Sequence, residues 1–369
     1  MSVDFISVTY TNSSTVVAPL ADAQVDPRYV ARYARTLEDF GFNYTLLPYD
    51  TWSFDPLTIG ATVAAHTRSI KIVIALRPNT IYPTVAAKAL ATLDRLSEGR
   101  VVVHLIAGGS DADQAKEGDF LPKDERYARL EEYIQILRRA WASPEAFNFE
   151  GRYYTFKGFS NSVRPVQSAI PVSLGGSSAA AYRVGGSQAD IFGLWGEPLK
   201  ETGQQIDNIY AEAARAGRTD RPRIWLSFRP IVAETDELAW AKADRILDLL
   251  KERRSPPAGL AAPQNAGSQR LLGLAARSDV HDEALWLAPA AVTGATAASA
   301  ALVGSPETVA RAILKYVDLG ASLISIRGYD NLNDAIDYGR YVIPLVRQEL
   351  GRQEGAATTA RAGDNPDFS

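Results

Sequence analysis

Short β-branched runs alternate with stretches of helical spacing along almost the whole chain. The runs "VDFISVT" (3–9), "NYTLLP" (43–48), "IKIVIAL" (70–76), "RVVVHLIA" (100–107), "PVSLG" (171–175), "DIFGLW" (190–195), "RIWLSFRPIVA" (223–233) and "SLISIRG" (322–328) predict strands. Each is followed by apolar residues at helical spacing. Proline at a first helical position, behind a residue able to cap free amides, marks helix starts at Asp26-Pro27, Asp55-Pro56, Glu197-Pro198 and Ser305-Pro306. Eight strand-then-helix units are the number that closes a parallel barrel. The expected fold class is therefore α/β, a (β/α)8 TIM barrel. A doubly wound sheet shares the alternation, but no GxGxxG follows the first strand.

Two stretches interrupt the pattern. Residues 144–170, with "FNFEGRYYTFKGF", predict an inserted β-hairpin turning at Glu150-Gly151 between aromatic strands. Residues 253–304 are rich in Ala, Gly, Ser and Pro, and a stretch of that length between barrel units reads as a lid. The expectation is one barrel domain over 1–350 carrying both insertions, then a flexible tail over 351–369.

Composition narrows the chemistry. The 369 residues are 46% hydrophobic and 22% charged, with a net charge of -4, which gives no electrostatic reason to expect nucleic acid or an anionic membrane as partner. With no cysteine there is no disulfide, thiol nucleophile or thiolate metal site. The three histidines, His66, His104 and His281, lack ligand spacing, so no metal site is expected. The start "MSVDFISVTY" does not have the layout of a signal peptide, and no apolar run approaches the roughly 20 residues that span a bilayer. A cytoplasmic protein is expected.

In such barrels reactive groups gather at the carboxyl ends of the strands. Gly175-Gly176-Ser177-Ser178 leads from the fifth strand into a helix, where approachable backbone N–H groups and two hydroxyls suit an anion; a glycine pair equally serves a tight turn. His104 lies in the fourth strand with Val102 and Ile106 on its face, either as a catalyst or as a hydrogen-bonded core residue. In the seventh strand Trp225, Ser227 and Arg229 alternate onto one face; if that face is inward, Arg229 reaches the barrel mouth and needs an anionic partner. Trp195 ends the sixth strand, and "IRGYDN" puts Arg327, Tyr329 and Asp330 at the same rim. No nucleophile–base–acid triad assembles, so a cofactor is expected to carry the hard chemistry.

Four segments together resemble the bacterial luciferase-like flavin monooxygenases, and within them the alkanesulfonate monooxygenases that use reduced FMN. They are "ALRPNTIYPTVAAKALATLDRLSEGRVVVHLIAGGS" (75–110), "DERYARLEEYIQILRRAW" (124–141), "LGGSSAAAYRVGGSQADIFGLWGEP" (174–198) and "ALVGSPETVARAI" (301–313). The resemblance implies FMN at the strand ends. Gly175, Gly176, Ser177 and Ser178 match the segment cradling its phosphate, and Tyr127 matches a tyrosine near the same group. Ala75 and Leu76 match a bulge beneath the flavin ring, and His104 and Ala107 match positions beside it; sulfonate enzymes typically carry asparagine where His104 stands.

The implied reaction is two-component. An NAD(P)H-dependent FMN reductase supplies FMNH2, O2 provides the oxygen, and a sulfonate yields sulfite and an aldehyde under a lid that excludes water. The resemblance also implies a homo-oligomer, a dimer or a tetramer. Against the sulfonate pattern, Ser227 and Arg229 replace an arginine and a histidine, Ser53 replaces a cysteine, and Tyr10 a histidine. Trp195 and Tyr329 are kept. The lid arginine has no counterpart near Ala295, which leaves Arg270 or Arg277 to close over the site. The expected substrate is a small organosulfur or other anion held by Arg229, with Tyr329 donating a hydrogen bond or proton and Trp195 shaping the pocket. A sulfone or another small substrate, F420-dependent hydride transfer and a flavin-binding protein without turnover stay open.

Overall fold

The computed structural model describes residues 2–253, 263–295 and 300–363. In chain order the strands are β1 (Asp4–Val8), β2 (Tyr44–Leu47), β3 (Lys71–Leu76), β4 (Val101–Leu105), a hairpin β5 (Phe147–Glu150) and β6 (Thr155–Phe159), then β7 (Val172–Gly175), β8 (Ile191–Trp195) and β9 (Arg223–Phe228). After these come β10 (Ile231–Val232), β11 (Val280–His281), β12 (Leu285–Trp286), β13 (Ala301–Gly304) and β14 (Ala321–Ile326). A closed parallel barrel runs β1-β14-β9-β8-β7-β4-β3-β2. The eight expected strands are its eight staves.

Local chemistry sets the helix starts. Asp26 accepts from the amides of Arg28 and Tyr29 at 2.9 and 3.2 Å, and Asp55 from that of Thr58 at 2.7 Å, each ahead of a first-turn proline. The third expected start differs. Pro198 itself occupies the cap position of the helix Leu199–Arg215 without a side-chain cap, and Glu197 is used elsewhere.

The period-two alternation of the strands divides two cores. Val101, Val103 and Leu105 face out into the packing between barrel and helices, whereas Val102 joins Ile6, Tyr44, Val73, Ile191, Trp225 and Leu323 in an apolar plug inside the barrel. That plug closes the lower half. Everything above it is open to the strand ends.

Two expectations need correction, the seventh strand and the bulge, and two further stretches gain detail. The seventh predicted strand is two: after Phe228 the amide of Arg229 donates to the Ala300 carbonyl at 2.8 Å, Pro230 cannot donate, and β10 pairs with β13 outside the barrel. The 253–304 stretch, read from the sequence as a lid, is structured in its described part. Its described part carries the helices Ala266–Ala275 and Ala288–Thr293 and the strands β11 to β13, which with β10 make a separate sheet; residues 254–262 and 296–299 lie outside the described residues. No bulge occurs at Ala75-Leu76, because β3 and β4 pair in unbroken register from Ile72↔Val101 to Leu76↔Leu105. The expected tail is helical through Gly363 within the helix Ile343–Gly363, and 364–369 fall outside the described residues.

The hairpin is present, with Glu150 ending its first strand and Gly151 donating to the Tyr154 carbonyl at 2.9 Å across a four-residue turn, longer than the turn expected at Glu150-Gly151. No helix among the described residues is long and apolar enough to cross a membrane.

Candidate active site

A cavity of about 1740 Å³ opens at the carboxyl ends of the barrel strands. That volume exceeds the roughly 300–1,000 Å³ of an ordinary small-molecule pocket, so it has room for two ligands together. The alternation that builds the plug continues upward into its wall: Val8 of β1, Ala75 of β3, His104 of β4, Gly193 and Trp195 of β8, Ser227 of β9 and Ser325 of β14, with Tyr10, Arg77, Ile106 and Arg327 just past the ends of β1, β3, β4 and β14.

One wall is a cradle. Gly175, Gly176, Ser177 and Ser178 all line the cavity, and Ser178 caps the helix Ala179–Gln188 by accepting from the Ala181 amide at 3.3 Å. Gly176 has φ +144°, and a Cβ there would lie 2.7 Å from the Tyr127 hydroxyl and 2.8 Å from the Cβ of Ala181. Only glycine fits. Burial pushes the Tyr127 hydroxyl up to about 12, with Ser178 pulling it partly back, so it is a neutral donor at any ordinary pH. Lys123, one helical turn before Tyr127, also lines this side.

Small residues line part of the cavity. Ala75, Ala107, Gly108, Gly109 and Gly193 offer backbone and methyl groups to a planar ligand. Among them His104 accepts or donates at Nδ1 to the Ser173 hydroxyl at 2.9 Å and lies 5.3 Å from the Trp225 ring centre. Desolvation lowers its pKa to about 4, which makes it neutral near pH 7. Leu76 does not line the cavity; its side chain is in the core between barrel and helices.

The remaining expected residues separate. Tyr10, Ser53, Trp195 and Ser227 line the cavity. Ser53 is engaged in its own loop, accepting from the Asp50 amide at 3.0 Å. Trp195 is covered by the insertion, where a Cβ on Gly267 would lie 3.2 Å from its ring. Arg229 and Tyr329 are not in the lining. Because the chain leaves the barrel at Pro230, the Arg229 guanidinium turns onto the Tyr329 ring, 3.8 Å from its centre, and donates to the Gly328 carbonyl at 2.6 Å. Arg270 is held away from the cavity by two bonds to the buried carboxylate of Glu197, at 2.8 and 2.5 Å, and Arg277 pairs with Glu201. Asp330 sits in a turn whose amides, with that of Tyr329, donate to Asp334 at 2.8 and 2.7 Å.

Two cationic residues stand at the mouth, Arg77 and the Arg327 that the sequence puts at the rim. Arg77 donates to Glu117 at 2.7 Å and Thr51 at 3.0 Å beneath Tyr49, tying together the loops after β2, β3 and β4. Arg327 lies beside Tyr10, and burial lowers its pKa. Both follow the strand period, two residues beyond an inward position, Ala75 or Ser325; Arg77 is the one not named from the sequence.

The sequence pattern of the luciferase-like monooxygenases matches residues 6–323. Solved structures of similar fold include riboflavin lyase RcaE with modified FMN and riboflavin (TM-score 0.79, 21% identity, 95% of this chain and 92% of that one). DmoA from Hyphomicrobium sulfonivorans is similar at TM-score 0.75 and 19% identity over 95% of this chain and 88% of that one. An F420-dependent secondary alcohol dehydrogenase with an F420–acetone adduct aligns at TM-score 0.70 and 16% identity, over 94% of this chain and all of that one (100%). At these identities the likeness is one of fold. The match spanning nearly the whole barrel does more: this chain belongs to the luciferase-like monooxygenase family.

Proposed function

We propose that the chain is a two-component monooxygenase that uses FMNH2 from a separate NAD(P)H-dependent reductase and O2 to oxidise a small organosulfur substrate, a sulfonate foremost. The observation that carries the cofactor reading is the Gly176–Tyr127 cradle, where no side chain fits and two serine hydroxyls, a tyrosine hydroxyl and a helix N-terminus converge beside Lys123. A terminal phosphate suits that donor set. The small residues Ala75, Ala107 and Gly193 suit a tricyclic ring.

Bound reduced FMN would supply two electrons and the capacity to activate O2. The protein's own groups then bind, orient and shield. Tyr127, Ser177 and Ser178 hold the phosphate, and neutral His104, set by Ser173, offers one hydrogen bond in the cavity without adding charge. Trp195 and the helix Ala266–Ala275 above it cover the mouth and exclude water, which protects the oxygen-transfer step. Arg229 stacked on Tyr329 fixes the Gly328 turn from behind and so positions Arg327. For a sulfonate the balance is RCH2SO3⁻ + FMNH2 + O2 → RCHO + HSO3⁻ + FMN + H2O.

Anaerobic fluorescence titration with FMNH2 and with F420, followed by a single turnover with photoreduced FMN, O2 and 1-hexanesulfonate, tests this reading. Tight FMNH2 binding and sulfite release are expected. Binding of F420 in preference to FMNH2 would replace it with hydride transfer; FMNH2 binding without product from a panel of sulfonates and sulfones would remove the organosulfur assignment.

A further inference from the structure

The cavity's charges are not spread evenly. Among its described lining residues the cations are Arg77, Lys123 and Arg327, and the carboxylates are Asp50 and Asp113. Arg77 is neutralised by Glu117 at 2.7 Å and lies with both lining carboxylates on the loops after β2, β3 and β4. Lys123 belongs to the cradle wall. Arg327, the residue after β14, lies next to β1 and bonds to the Tyr10 hydroxyl.

In the closed order β1-β14-β9-β8-β7-β4-β3-β2, β1 is diametrically opposite β7, the strand that leads into the cradle. Tyr10, just after β1, therefore faces the cradle across the mouth, and Arg327, just after the adjacent β14, stands beside it, three staves from β7. The Tyr10 hydroxyl interacts with the guanidinium directly, and Ser227 and Ser325, register partners two residues earlier along their strands, line the same cavity. Arg229 adds a second positive charge near enough to depress the pKa of Arg327 further. One lining guanidinium, with the hydroxyls of Tyr10, Ser227 and Ser325 on the same side of the cavity and a second positive charge behind it, suits a charge spread over several oxygens. The neighbouring wall is apolar, formed by Val8, Leu46, Pro48 and Phe54.

We infer that Arg327, with Tyr10, Ser227 and Ser325, binds the anionic head of the substrate opposite the cofactor phosphate, and that the substrate is a small amphiphilic oxyanion whose apolar part lies along the β1–β2 wall. This rests on the flavin monooxygenase reading for the identity of the other ligand. It moves the substrate anion from Arg229, which faces the Tyr329 ring, to a residue on another strand.

The test is an anaerobic titration of protein fluorescence with 1-hexanesulfonate, methanesulfonate and 1-hexanol, on the flavin-free protein and on its FMNH2 complex. It is made for wild type, Arg327→Lys, Arg327→Met and Tyr10→Phe, with thermal unfolding reporting whether each variant folds. Hexanesulfonate should bind more tightly than methanesulfonate or hexanol. Arg327→Met should weaken it by about tenfold or more, with Lys recovering part of the loss, while FMNH2 affinity stays within about twofold of wild type. Equal binding of hexanesulfonate and hexanol by wild type, or unchanged hexanesulfonate affinity in folded Arg327→Met, overturns the inference. Should Arg327→Met fail to fold, Arg327→Lys and Tyr10→Phe decide it, because unchanged affinity in both overturns it. Failure to bind FMNH2 strikes the cofactor reading alone, since the flavin-free titration still reads the anion site.

Discussion

A first side-chain carbon on Gly176 would stand 2.7 Å from the Tyr127 hydroxyl, closer than real Cβ contacts come. The two residues, on different elements, therefore share one space that stays free only because one of them has no side chain. Gly176→Ala meets both that contact and a φ of +144°, which costs about 1–3 kcal/mol of strain. It is expected to weaken FMN binding by about tenfold or more through displacement of Tyr127, read by flavin fluorescence quenching.

Gly185 supplies the contrast. A Cβ there would fall 1.9 Å from the Phe192 ring, deep between helix and barrel and away from the cavity. Gly185→Ala is expected to destabilise the fold by about 1–3 kcal/mol through overpacking, measured by denaturant unfolding. Whatever protein remains folded should bind FMN with an affinity near that of wild type.

Removing the hydroxyl separates the two roles of the cradle tyrosine. Tyr127→Phe keeps the packing of a buried ring but loses one donor, so flavin affinity should fall by about five- to tenfold with little change in Tm. Because the hydroxyl titrates only near 12, the affinity difference between the two proteins should be flat from pH 6 to about pH 9. A difference that varies over that range would assign the effect to another group.

Acid should act through His104. Its folded pKa, about 4, lies below the ordinary 6.5, so the unfolded chain binds the proton more readily. The contribution is fully present above pH 6.5 and is lost as pH falls towards 4. His104→Asn keeps a hydrogen-bonding group for Ser173 and removes the titration. The Tm-against-pH curve of the variant should be flatter than that of wild type between pH 6.5 and 4, and parallel curves would overturn the assignment.

The insertion is clamped by Glu197 and Arg270. Glu197 is 1% exposed at its side chain, so Arg270→Met leaves a buried carboxylate without its partner, a change of about 1–3 kcal/mol after allowance for the partly exposed arginine. The expected outcome is faster hydrogen exchange in the helix Ala266–Ala275, with the barrel strands unchanged. In turnover, the looser cover over Trp195 should raise hydrogen peroxide release relative to product.

The sequence by itself determined the barrel. Eight β-branched runs, the proline-marked starts and the alternation in "RVVVHLIA" depend on local propensity and period, and these survive folding because each strand buries both faces. The same periodicity placed His104 and Ser227 inward, and the glycine–serine junction at 175–178 was legible because a left-handed backbone leaves a compositional trace.

What only the tertiary structure decided was where long side chains end. Arg229 obeys the inward alternation of its strand as far as Phe228, but Pro230 and the Ala300 carbonyl draw the chain into a second sheet, and its guanidinium finishes against Tyr329. Arg270 looked free to close over the site, yet a glutamate 73 positions away neutralises it. Arg327, rather than Arg229 or Arg270, lines the cavity on this side. The reason is physical: strand period is a short-range property of the backbone, whereas the destination of a charge depends on partners and exits that are remote in sequence and adjacent only after the barrel has closed.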